Sequence, residues 1–180
     1  MRRLSKKVAV CGVICSLGVV VILLGGLFPF LEFTVPAIAG VLLILLITEY
    51  GYKWALFSYV IISLLSLIVA AFRMESVLLF IAFFGYYPIL KSKLETLKSR
   101  VLQMIFKYIC FNFAVISFYA LTYYIFKLSF IIEQFKDISK IMLPVLLIMA
   151  NVTFLFYDIV ISRLTYIYVQ RVRKNIYKII

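Results

Sequence analysis

Four polar residues interrupt the most apolar stretches of this chain, and they are the first candidates for chemistry. They are Lys107, Asn112, Asn151 and Asp158. Polar groups are costly inside a bilayer, so they persist there when they pair with one another or serve a function. If the two stretches that carry them form an antiparallel hairpin turning near residue 134, Asn112 lies at nearly the depth of Asp158, with Lys107 about one helical turn away.

Two interpretations of these residues stay open. In the structural interpretation, Asp158 pairs with Asn112 or Lys107 across the hairpin, and each interhelical hydrogen bond stabilises it by about 1 kcal/mol. In the functional interpretation, Asn151 serves a ligand, because it lies nearer the middle and the outer half of the predicted membrane span. Asp158 would then act on a ligand or a proton instead of a neighbouring helix.

Signatures of catalysis and metal binding do not appear in the sequence. The chain has no histidine, and its three cysteines form no CxxC pair, so we predict neither a metal site nor a cofactor. It also has no phosphate-binding glycine loop and no nucleophile elbow. We therefore predict that the protein is not an enzyme, and that any active transport needs an ATP-hydrolysing partner.

Composition places the chain in a membrane. Hydrophobic residues make up 66% of the 180 residues and charged residues only 14%, and a soluble domain of this size has too little interior to bury that much apolar surface. We predict an all-α fold, a single integral membrane domain of six transmembrane helices, because a helix satisfies its own backbone in lipid. The predicted spans cover residues 8–30, 34–50, 54–72, 76–90, 105–127 and 141–162. The second and fourth are short for a crossing of about 20 residues, and a re-entrant fourth segment is the alternative.

The basic residues predict the orientation. With six crossings, fifteen of the nineteen Lys and Arg residues fall on one side of the membrane, and only Arg73, Lys127, Lys136 and Lys140 fall on the other. Positive charge resists translocation, so the rich side is cytoplasmic and both termini are inside. The net charge of +12 is then explained by anionic headgroups rather than by nucleic acid.

Two segments are candidates for protein docking. Ala9, Gly12 and Ser16 place small side chains on the first span, and a Gly-x-x-x-Ser spacing lets another helix approach closely. Leu90, Leu94, Leu97 and Val101 recur every three or four residues among charges. That pattern predicts an amphipathic helix over 90–101 on the inner membrane surface or on a cytoplasmic partner.

This architecture resembles the membrane-embedded substrate-binding (S) components of energy-coupling-factor (ECF) vitamin transporters. The resemblance covers the whole chain and rests on helix number, inside termini, short second and fourth spans and the basic inner loop. It implies a coupling membrane subunit and ATPases as partners in the bacterial plasma membrane, with Ala9, Gly12 and Ser16 docking on the coupling subunit. It also implies that a small nutrient binds from the outside beneath the first outer loop, at the positions Glu32, Arg73, Glu75 and Asn151.

Two other functions compete with transport. A non-catalytic scaffold of the bacterial cell envelope, of the rod-shape-determining type, has a similar size and helix count and binds no vitamin. A membrane enzyme acting on lipids needs an acid–base or metal cluster at the interface, and the lack of histidine disfavours it.

Overall fold

The computed structural model describes residues 2–25, 31–70, 74–121 and 142–173. Within these ranges all regular structure is helical, which confirms the all-α prediction for this part of the chain. The described helices are α1 (Arg2–Gly25), α2 (Thr34–Tyr50), α3 (Tyr52–Val69), α4 (Met74–Leu94), α5 (Arg100–Leu121) and α6 (Met142–Ile167). A π-helical turn, Tyr168–Arg173, follows α6 directly.

Five of these helices are long and apolar enough to cross a membrane: those containing Leu4–Gly25, Tyr52–Val69, Met74–Leu94, Arg100–Phe118 and Pro144–Arg171. Many large apolar side chains also point outwards, among them Ile68, Phe113 and Phe156. Water would solvate such a surface poorly, whereas lipid tails solvate it well. The chain is therefore a multi-pass membrane protein.

The shortest helix, α2, lies at the centre of the bundle. Its 17 residues span about 26 Å at 1.5 Å per residue. Apolar residues cover it all round, as is typical of a buried helix. Leu43 and Leu46 pack in one core with α1, α3 and α4, while Ile44 packs in a second core with α4, α5 and α6. Gly51, with φ of 86°, joins α2 to α3 through a left-handed conformation that glycine adopts without strain.

Helix α4 changes from α-helical to π-helical geometry in its middle. α-Helical Met74–Leu79 is followed by π-helical Phe80–Phe84, and α-helical geometry resumes over Tyr87–Leu94. Pro88 explains part of this break, because it has no N–H to donate to the Phe84 carbonyl one turn earlier. Gly40 of α2 packs against that carbonyl, where a Cβ atom would overlap with it. The glycine thus allows α2 to approach the irregular turn closely.

Aromatic rings fill the space between α4, α5 and α6. Phe83 lies at the centre, with the ring centroids of Tyr87, Phe111 and Phe154 at 4.7, 5.1 and 5.7 Å. Phe111 and Phe154 stack nearly parallel at 4.5 Å. Rings in these edge-on and stacked geometries add about 0.5–1.5 kcal/mol per pair beyond their buried area. The cluster fixes the three helices relative to one another.

The helix boundaries correct two predictions. The amphipathic helix over 90–101 is wrong, because α4 runs on to Leu94 and α5 begins at Arg100, with a non-helical connection between them. That connection is held by the Gln103 side-chain amide, which donates to the Leu97 carbonyl at 2.8 Å. The fourth span is also longer than predicted, at 21 residues, so length no longer favours a re-entrant segment. Residues 26–30, 71–72, 122–127 and 141 of the predicted spans lie outside the described residues.

One end of the bundle collects basic and aromatic residues, and we call it the basic end. Lys7 of α1 lies 5.8 Å from the Tyr50 ring centroid and 6.0 Å from that of Trp54. Lys93 lies 4.4 Å from the Tyr52 ring centroid. Cation–π contacts of this kind hold charges at the level of interfacial aromatic rings. At the same end, the Nε of Arg173, which follows α6, is 3.5 Å from a Glu49 carboxylate oxygen.

Candidate functional site

Near the basic end, Asp158 of α6 is the centre of a charged cluster between three helices. Lys107 of α5 places its Nζ 3.1 Å from each carboxylate oxygen of Asp158. Lys91 of α4 donates to the same carboxylate and to the Asp158 carbonyl, the latter at 2.9 Å. The Tyr87 hydroxyl completes the set by donating at 2.6 Å. Donors from α4 and α5 therefore converge on one α6 side chain.

Glu95 closes the cluster from the short connection after α4. Its Oε1 lies 3.1 Å from both Lys91 and Lys107, so two lysines and two carboxylates balance in charge. Both lysines are buried, whereas Glu95 is 44% exposed and Asp158 20%. Buried charges require this mutual neutralisation, because each would be strongly destabilising alone. We call these residues, with Tyr87, the Asp158 cluster.

Farther from the basic end, Asn112 and Asn151 form a reciprocal amide pair. Asn112 donates to the Asn151 side-chain oxygen at 3.0 Å, and Asn151 donates back at 3.1 Å. Each amide also donates to a carbonyl four residues earlier on its own helix, Tyr108 and Leu147. Interhelical amide bonds of this type are worth about 1 kcal/mol in a membrane.

These contacts show which of the predicted partners of Asp158 it has in the structure. Lys107, one of the two partners predicted for Asp158, is its partner in the structure. The other prediction, an Asn112–Asp158 pair, is wrong, because Asn112 pairs with Asn151 instead. The physical reason is the hairpin register. The register of α5 against α6 differs from the predicted register by about one helical turn. Each polar residue of α5 therefore faces a different residue of α6 from the one predicted.

Two of the predicted ligand residues lie at the end of the bundle opposite the basic end. Glu32 precedes α2, and Glu75 lies in the first turn of α4. The two segments meet where the Ser76 hydroxyl donates to the Glu32 carbonyl at 3.3 Å. Arg73 lies outside the described residues. Asn151 lies farther along α6, where it belongs to the amide pair between α5 and α6.

The predicted docking residues lie on an outward face of α1. Ala9, Gly12 and Ser16 are exposed, whereas the opposite face of the helix buries Cys11 and Cys15. A Cβ atom added at Gly12 would meet no atom within 4 Å. Ser16 satisfies its own hydroxyl by donating to the Val13 carbonyl at 2.9 Å. Within the described residues, this small face is therefore not used to pack the bundle.

Sequence reasoning missed Tyr87 and Lys91 as members of a site. The predicted fourth span ends at residue 90, so Lys91 falls in the predicted surface helix over 90–101 rather than inside the bundle. A signal was present in the spacing, because Tyr87, Lys91 and Glu95 recur every four residues and so share one face of a helix. An isolated aspartate within a span also requires cationic partners, and Lys91 is one turn beyond the predicted span end.

Comparisons of the chain with protein-family models, with curated proteins and with solved structures gave no match. The polar side chains within the described part of the bundle are engaged with one another. The Asp158 carboxylate is engaged by three donors, and both Asn112 and Asn151 are paired. Among the described residues, no three Cys, Asp or Glu side chains are placed to hold a metal ion.

Proposed function

We propose that this chain is the membrane-embedded substrate-binding subunit of an ECF-type uptake transporter for a small nutrient such as a vitamin. It is non-catalytic, it binds its substrate from outside the bacterial plasma membrane, and it passes the substrate to a coupling membrane subunit driven by ATPases. The basic end faces the cytoplasm, with both termini inside. The concentration of Lys and Arg at that end supports this orientation.

One observation carries the proposal: the small face of α1 is turned outward, and no other described helix packs on it. Gly12 has nothing within 4 Å of an added Cβ atom, and Ala9 and Ser16 are exposed beside it. Small residues in membrane helices are typical of close helix–helix approach. A coupling subunit would dock a transmembrane helix here, at the positions that the family resemblance implies.

The ligand would bind at the end opposite the basic end. Glu32 and Glu75 supply carboxylates there, in two segments that meet through the Ser76 hydroxyl. Asn151 lies about 10 Å along α6 from Asp158, towards that end. A mostly apolar pocket with a few polar anchors suits a small organic nutrient. Arg73, two residues before Glu75 in the sequence, would supply the positive charge.

A thermal-shift screen of the purified protein in detergent, against vitamins and small metabolites, tests the ligand part. A true ligand at 100 times its Kd stabilises the folded state by about 2.7 kcal/mol, and the melting temperature rises. Asn151→Leu should abolish this rise. Asn112→Leu is the matched control, since it breaks the same amide pair from the other helix but removes no ligand contact. A screen without any shift would contradict the proposal.

A non-catalytic scaffold of the rod-shape-determining type is the second candidate, and a specific observation favours it. The Asn151 amide already forms a reciprocal pair with Asn112, so its polar groups are used within the bundle. A scaffold needs only docking surfaces, such as the α1 face. Recovery of cell-wall synthesis proteins without an ATPase, together with a negative ligand screen, would favour the scaffold.

A further inference from the structure

The π-helical turn of α4 deprives two backbone carbonyls of their usual α-helical donors. The Gly85 N–H donates to the Phe80 carbonyl at 2.8 Å, five residues back, instead of to the Ile81 carbonyl. Pro88 has no N–H to offer the Phe84 carbonyl. Carbonyls inside a membrane protein need protein donors, because lipid supplies none. The turn therefore draws on side chains of the neighbouring helices.

Tyr59 of α3 supplies one of these donors. Its hydroxyl donates to the Ile81 carbonyl at 2.8 Å. Its ring also packs on the π-helical segment, with its centroid 5.8 Å from that of Phe80. A tyrosine hydroxyl thus replaces the missing backbone N–H on one side of α4.

Tyr157 of α6 reaches the same turn from another side. Its ring meets that of Phe84 edge-on, with the centroids 5.0 Å apart. A Cβ atom added at Gly40 would overlap the Phe84 carbonyl oxygen and would lie 3.0 Å from the Tyr157 hydroxyl oxygen. The two oxygens therefore border the same point on α2. Among the described residues, the buried Tyr157 hydroxyl has no hydrogen-bond partner.

The Phe84 carbonyl is the natural acceptor for this hydroxyl. Buried tyrosine hydroxyls almost always have a partner, because an unpaired one carries its full desolvation cost. A carbonyl oxygen has two lone pairs, and Pro88 cannot occupy either of them. A modest rotation of the Tyr157 side chain brings the hydroxyl to the carbonyl without moving a helix, since both already lie beside Gly40.

We infer that Tyr157 is a latch on the π-helical turn: its hydroxyl donates to the Phe84 carbonyl, as that of Tyr59 donates to Ile81. The structure shows this bond unformed, and the cost of an unpaired buried hydroxyl favours its formation. The latch positions the half of α4 that carries Lys91, whose partner Asp158 is the next residue of α6. The inference does not depend on the function proposed above.

An isosteric substitution tests whether the hydroxyl has a partner. Tyr157→Phe keeps the ring and should lower the melting temperature in detergent by about 2–4 °C, the loss expected for one hydrogen bond in a chain of this size. Tyr59→Phe is the matched control and should give a similar fall, because its hydroxyl bond is present in the structure. An unchanged or higher melting temperature for Tyr157→Phe would overturn the inference, since removal of an unpaired hydroxyl relieves a cost.

A change at Pro88 tests which group is the acceptor. Pro88→Ala restores an N–H that can donate to the Phe84 carbonyl, so the carbonyl no longer depends on the latch. In this background Tyr157→Phe should lower the melting temperature by clearly less than in the wild type, whereas Tyr59→Phe should lower it as before. Pro88→Ser serves the same purpose if the alanine variant folds poorly. Equal losses from Tyr157→Phe in both backgrounds would place its acceptor elsewhere and overturn the inference.

Discussion

The Nζ of Lys107 lies 3.1 Å from both carboxylate oxygens of Asp158, and this contact ties α5 to α6 near the basic end. Asp158→Asn should destabilise the protein in detergent by about 3 kcal/mol, because two buried lysines lose their main counter-charge. Glu95→Gln is the control. Its side chain is 44% exposed, so the loss should stay under about 1 kcal/mol. Reversible unfolding followed by circular dichroism measures both.

A double variant tests whether Lys91 and Asp158 are energetically coupled, which loss of side-chain volume alone would not produce. Lys91→Met together with Asp158→Asn removes one positive and one negative charge, and leaves Lys107 with Glu95. The double variant should be more stable than the sum of the two single effects predicts, since contacting residues are energetically coupled. Strict additivity would contradict the assignment of Lys91 to the Asp158 cluster.

Replacement of glycine by alanine should lower the stability of the protein at position 40 but not at position 12. Gly40→Ala places a methyl group against the Phe84 backbone carbonyl, which cannot rotate away, and we expect a loss of about 1–3 kcal/mol. Gly12→Ala adds its methyl group in open space and should leave stability unchanged or slightly raise it, since alanine is the better helix former. Equal melting temperatures for the two variants would show that α2 and α4 are not in close contact.

Phe83 holds the aromatic cluster, and its removal should be costly. Phe83→Ala should lower the free energy of unfolding by about 3–5 kcal/mol, through lost burial and the cavity left behind. Phe113→Ala is the control, because that ring is 71% exposed on α5 and faces lipid. If both variants melt at the same temperature, the rings do not pack as described.

Much of this fold is predictable from residue type alone. The long apolar runs require helices in lipid, and the end of α2 follows from the glycine at position 51. The partners of the polar residues are harder to predict. Asn112 pairs with Asn151 and not with the neighbourhood of Asp158, because the register of α5 against α6 differs by about one helical turn from the predicted one. Hydropathy does not report that register.

The Asp158 cluster shows a second limit of sequence reasoning. Lys91 follows an apolar run, so its charge predicts a position outside the span. In the structure it is buried and pairs with the partly buried Asp158 carboxylate, and α4 extends to Leu94. The amphipathic pattern over 90–101 misleads for the same reason. Its apolar positions belong to the ends of two different spans, and Glu95 turns inwards to Lys91 and Lys107.

Cysteine labelling tests the membrane orientation. Leu97→Cys lies in the connection at the basic end, and Phe33→Cys lies at the opposite end, where the native side chain is exposed. In a background with Cys110 replaced, a membrane-impermeant maleimide added to intact cells should label position 33 but not position 97. Inside-out vesicles should give the reverse pattern. Labelling of position 97 in intact cells would place the basic end outside.

The most direct test of the proposed function is affinity purification from native membranes in mild detergent, followed by quantitative mass spectrometry. We predict that an ATPase and a second multi-pass membrane subunit co-purify in fixed proportion with the wild-type chain. Gly12→Leu should remove them without lowering the melting temperature, whereas Val60→Leu on the outward face of α3 should retain them. Recovery of cell-wall synthesis proteins with no ATPase, from the wild type and both variants alike, would contradict the transport assignment.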